Sequence, residues 1–103
     1  DVTLADGCRI QAEIQLDRGA LDIAEHQCLV AIEAAERVGA PHCRGPAHRT
    51  LAKVLHRRIT EGDTTEALPA RVTDALASAL AAFEQGDMAQ DAEAIRALQE
   101  SMG

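Results

Sequence analysis

The chain contains no Trp, no Tyr and one Phe in 103 residues. Large aromatic anchors are therefore unavailable, and small apolar side chains must build whatever core forms. Strand-forming residues are also scarce beside alanine and leucine, which dominate a 47% apolar composition; alanine is the strongest helix former, so an all-α class follows. No stretch approaches the roughly 18 apolar residues of a membrane span, and the start Asp1-Val2-Thr3 lacks the basic-then-apolar order of a signal peptide. A soluble, cytoplasmic protein is expected, and the missing initiator Met fits a fragment as well as an intact protein. Basic residues are few: 10 Lys and Arg face 17 Asp and Glu, for a net charge of -7, which argues against a grip on nucleic-acid phosphates.

Phosphate-cradling glycine loops are absent too, because the seven glycines stand singly. Cys8, Cys28 and Cys43 are odd in number and uneven in spacing, as expected of reduced packing residues. His42, Cys43 and His48, with Cys8 or His26, could supply metal ligands, but no Cys-x-x-Cys or His-x-x-x-His pairing accompanies them. A Cys43 nucleophile beside His42 or His48 would lack an orienting third group and an oxyanion site. The chain is expected to have no catalytic residue, no metal and no cofactor.

What remains is a succession of amphipathic helices. The first is expected from about Ala5 to Leu16, with Ile10 and Ile14 on its apolar face and Asp17-Arg18-Gly19 as its stop. The second, about Ala20 to Val38, carries Leu21, Ala24, Cys28, Ala31, Ala35 and Val38 at steps of three and four. Gly39 and Pro41 end it. Gly45-Pro46 is expected to open the third, whose apolar line is Ala47, Leu51, Val54, Leu55 and Ile59. Thr60 to Leu68 reads as a polar loop in which Asp63 and Glu66 have capping-box spacing. Pro69 falls in the first turn of the fourth helix, which buries Val72, Leu76, Ala79 and Phe83 and stops at Gly86. Asp87 and Gln90 would cap a fifth helix, striped by Ile95, Leu98 and Met102 and fraying at Gly103.

Two segments resemble one another. Ala31-Ile32-Glu33-Ala34-Ala35-Glu36 before Gly39 parallels Ala79-Leu80-Ala81-Ala82-Phe83-Glu84 before Gly86, and Ala47, Arg49, Leu51 and Leu55 follow Gly39 as Ala94, Arg96, Leu98 and Met102 follow Gly86. With Ala12 at a small position, Gly19 at the turn, Ala24 and Ala31 on the next helix and Pro41 near its end, the chain resembles the tetratricopeptide repeat family. The Glu-Ala-Ala-Glu-Arg-Val-Gly ending is similar to the longer repeats of large bacterial transcriptional regulators and signalling ATPases. Cys8 and Gln15 replace the family's large aromatic residues, and the Thr60 to Leu68 insertion departs from its short turn.

The resemblance implies about five antiparallel helices: repeat one over about 5–38, repeat two over about 45–85 and a capping helix over about 88–101. It further implies a protein-interaction scaffold holding a protein or acidic peptide in a groove lined by the first helix of each unit. Arg49, Lys53, His56 and Arg57 recur at steps of three and four on the third helix, with Arg9 and Arg96 at comparable places, so Arg9, Arg49, Lys53, His56 and Arg57 are the candidate partner-binding residues. The bland counterpart is a solvated face whose cations pair with Glu13, Asp17 or other neighbours. Two and a half units fall short of a self-sufficient array, so a longer array or a homo-oligomer is expected. The alternative role is a regulatory or dimerisation segment of a transcription regulator or signalling ATPase.

Overall fold

The structure, a computed structural model, describes residues 2–102, so Gly103 lies outside it. The described residues form five α-helices and no strand: α1 (Val2–Asp17), α2 (Leu21–Val38), α3 (Pro41–Thr60), α4 (Leu68–Gln85) and α5 (Ala89–Met102). Each helix packs on the next, and α1 also meets α3, so that α1 with α2 and α3 with α4 make two stacked antiparallel hairpins, followed by α5. No described helix is long and apolar enough to cross a membrane.

Local chemistry sets the helix ends. Gly19, Gly39 and Gly62 take left-handed φ of 78°, 72° and 99°, values that glycine adopts without a Cβ penalty. After α1 the Ala20 amide donates to the Gln15 carbonyl at 2.9 Å, and after α3 the Asp63 amide donates to Arg58 at 3.0 Å, the same six-to-one closure. At the end of α4 the left-handed residue is Asp87 (φ 56°), not Gly86, and the Met88 amide donates to the Phe83 carbonyl at 2.8 Å. Asp87 is thus the counterpart of Gly39 and terminates α4, where it was expected to cap α5. The repeat register moves by one residue as a result. Ala47 pairs with Ile95, both buried, whereas Ala94 is exposed.

Two sequence expectations are corrected. Gly45-Pro46 does not open α3, which starts at Pro41 and carries Pro46 inside it. Proline at the first turn costs no hydrogen bond, so Pro41 serves as the opener. Gly45 has a packing role: a Cβ there would stand 2.5 Å from Cε1 of Phe83, whose ring is 1% exposed. Ile10 and Ile14 do not pack inward either. They are 47% and 38% exposed, and α1 buries Ala5 and Ala12, with Cys8 and Leu16 packed at the edge of the core. The small residues win because α1 lies close against α2, where a Cβ fits and a branched chain does not.

The main core runs through the middle of the stack: Ala24, Cys28 and Ala31 from α2, Val54 and Leu55 from α3, Leu76, Ala79 and Phe83 from α4, and Ile95 from α5. A smaller cluster of Ala5, Ala34, Ala35 and Cys43 joins α1, α2 and the start of α3. Burial pushes the Cys28 thiol up to about 12, with Glu25 and Glu13 adding to it, and also raises Cys43. Both remain protonated and unreactive at neutral pH.

Candidate partner-binding face

α3 buries one side and presents the other. Its exposed strip carries Arg49, Lys53, His56 and Arg57, the spacing that puts successive turns on one face. Their engagements differ. Arg49 lies over the Phe83 ring, its guanidinium carbon 5.3 Å from the centroid, and reaches Asp91 of α5 at 3.2 Å. Arg57 is held by Glu61 one turn on. Arg9 of α1 is paired with both carboxylate oxygens of Glu13 at 3.2 Å. His56 is half-buried. Lys53 is exposed and makes no ion pair among the described residues. The strip is therefore one unpaired cation flanked by cations already engaged within the chain.

Superposing the matching closures at Gly19 and Gly62 aligns α1 with α3. Ala12 then matches Leu55 and Leu16 matches Ile59 on the packed side, while Ile10 matches Lys53 and Ile14 matches Arg57 on the open side. The two helices are in contact, and the apolar strip on α1 occupies the side that corresponds to the basic strip on α3. The sequence places both strips at helical spacing, but only the shared register shows that they take corresponding sides of α1 and α3.

A second feature lies on the far side of α3, between α2 and α4. Two shallow cavities of about 300 and 290 Å³ meet at His48 and Ser78, the first floored by Leu51 and Leu55 and walled by half-exposed Leu29. Burial lowers the His48 pKa, with Arg44 acting the same way and Glu36 opposing, so the imidazole is neutral at pH 7. Arg44 donates to the Gln85 side chain across the second cavity, and its buried Nε has no hydrogen-bond partner among the described residues.

A charged cluster closes one end of this groove. Glu25 of α2 accepts from Arg58 of α3 and from Arg71 of α4, the latter at 2.9 Å; Arg58 also meets Asp22 at 2.8 Å and Asp63 at 3.4 Å. Burial works against the Arg58 charge, but the hydrogen bond and charge of Glu25, with Asp22 and Asp63, outweigh it and raise its pKa. Asp63 accepts from the Thr65 hydroxyl at 2.6 Å and its amide at 2.9 Å, which lowers the Asp63 pKa; the expected pairing with Glu66 is replaced by this turn. No local motif marks this cluster, since Glu25, Arg58 and Arg71 lie on three helices.

Among the described residues no group of three or more His, Cys, Asp and Glu side chains could hold a metal ion. His42 is exposed, Cys43 buried and His48 turned into the groove, so neighbours in sequence diverge around α3. The chain matches no family model, no curated protein and no solved structure.

Proposed function

We propose that this chain is a protein-interaction module that docks a peptide or protein segment on the face shared by α1 and α3. The observation that supports it is that exposed Ile10 and Ile14 take the side of α1 that corresponds, in the Gly19–Gly62 alignment, to Lys53 and Arg57 of the basic strip on α3, with Lys53 free of ion pairs among the described residues. An apolar lane on α1 and a basic one on α3 suit a partner that sets apolar residues over α1 and carboxylates over α3. The tetratricopeptide resemblance supports the same reading, since the first helices of that family's units line the binding groove.

Lys53→Glu is the direct test, because reversing an exposed, unpaired charge leaves the fold intact. Partners captured by the folded chain and identified should be lost or weakened with the variant; an unchanged set of partners removes the α3 strip from consideration. A second reading, a regulatory or dimerisation segment, is favoured by the uncharged outer face of α1, on which Gly7, Ile10, Gln11 and Ile14 stand exposed.

A further inference from the structure

We propose that the outer face of α1 joins two copies of this chain in a two-fold, α1-to-α1 dimer. The proposal rests on the dimerisation reading; it shares Ile10 and Ile14 with the proposed docking face, so a second copy and a docked partner compete for α1. It starts from the alignment of Gly19 with Gly62, under which α1 and α3 match in burial from Ala12 and Leu55 onward but diverge before that point, where α3 is for the most part the more buried. There α3 buries Thr50 and Val54, and the corresponding Gly7 and Gln11 of α1 are exposed. That side of α3 meets the preceding hairpin, as the cluster of Cys43 with Ala5, Ala34 and Ala35 attests. The same surface of α1 is shaped for a helix and has none against it among the described residues.

Charge selects the occupant. On the outer face of α1 every side chain from Thr3 to Ile14 is uncharged, although 26% of the chain is Asp, Glu, Lys or Arg; Asp6, Arg9 and Glu13 lie toward the other side. Depletion of charge is what marks the centre of an interface. The opposite end of the stack differs in kind. Aligning Gly39 with Asp87 matches Gly45, His48 and Ala52, which face α4, with Glu93, Arg96 and Glu100 of α5, all exposed. Head-to-tail stacking would press isoleucines onto those charges and strip their water. Two copies of the α1 face meet apolar on apolar, which is a closed, isologous arrangement.

Gly7 sits at the centre of the face, and a Cβ built there meets nothing within 4 Å, so it leaves a notch where two helices can approach closely. The contact spans about 18 Å of one helix per copy. One such helix per copy buries less than the roughly 1,200–2,000 Å² of stable complexes, so a weak, micromolar dimer is expected.

Sedimentation equilibrium of the full chain from about 1 to 500 μM tests the proposal, with Gly7→Lys as the variant. Lysine has open space at position 7, favours helix over glycine and lowers the net negative charge, so loss of association would come from two cations brought together at the two-fold contact and not from misfolding or a larger net charge. Wild type should pass from monomer to dimer across this range, and Gly7→Lys should stay monomeric with unchanged circular dichroism. Glu100→Ala, at the far end, should associate like wild type. A wild-type chain that is monomeric at 500 μM, a Gly7→Lys chain that dimerises normally, or disruption by Glu100→Ala would each overturn it. Lys53→Glu lies on α3, outside the α1 contact, and should dimerise normally even if it loses partners, so failure of the dimer and failure of the docking reading are distinguishable.

Discussion

Gly45 of α3 lies against the Phe83 ring of α4 with no room for a Cβ between them. Adding one methyl at position 45 gains helix propensity of about 1 kcal/mol but drives a Cβ to 2.5–2.7 Å from a ring that is 1% exposed and has nowhere to turn. Overpacking of this kind costs about 1–3 kcal/mol. Gly45→Ala should therefore lower stability in urea titrations by up to about 2 kcal/mol, and a stabilised variant would mean that the ring moves freely. His48 makes a second residue-scale prediction. Its folded pKa lies below the ordinary 6.5, so in the window between the two values the unfolded chain binds more protons than the folded one. Its contribution to stability is complete above about pH 6.5 and falls away as pH drops through the folded pKa. Urea midpoints at pH 7.5 and 5.0 should differ less in His48→Gln than in wild type.

At the scale of the helices, α2 and α4 flank α3 across an open groove, and at one end a carboxylate bridges them. Glu25, with its side chain 15% exposed, serves two arginines at once. Removing it leaves Arg58 its contacts to Asp22 and Asp63 but strands Arg71. Glu25→Ala should cost about 1–3 kcal/mol, against about 0–1 for Asp22→Ala, whose side chain is 90% exposed. Equal losses would show that the bridge carries nothing.

The helices differ in how legible they are. Of the periodic run in α2, Ala24, Cys28, Ala31 and Ala35 are buried, Leu21 is half-buried and Val38, at the helix end, is exposed. The packed line of α4 reads equally well, because Val72, Leu76, Ala79 and Phe83 share one helix face. α1 misleads for a physical reason: its largest apolar residues, Ile10 and Ile14, exceed the space against α2, and burial goes to Ala5 and Ala12. Gly45-Pro46 misleads for another. Its glycine is required by Phe83, a residue far along the chain, and nothing local distinguishes a notch from a stop. The basic strip on α3 is visible as spacing; its match to the isoleucine side of α1 and the Glu25 bridge emerge only once the helices are stacked.

For the whole molecule, the stack has two unlike ends: a charged one at α5 and an uncharged one at α1. Its interior is built largely from alanine, which buries little area per residue, so cohesion depends on many close helix contacts and not on a few anchors. Phe83 is the exception, and its solitude has a spectroscopic consequence. It is the chain's only benzene ring, for Tyr and Trp are absent. Lying flat to the Gly45 backbone, it shields the Gly45 α-protons by its ring current, and no other phenyl or indole can counterfeit that upfield shift. One resonance at position 45 thus reports, in dilute solution and without any label, whether α4 is seated on α3.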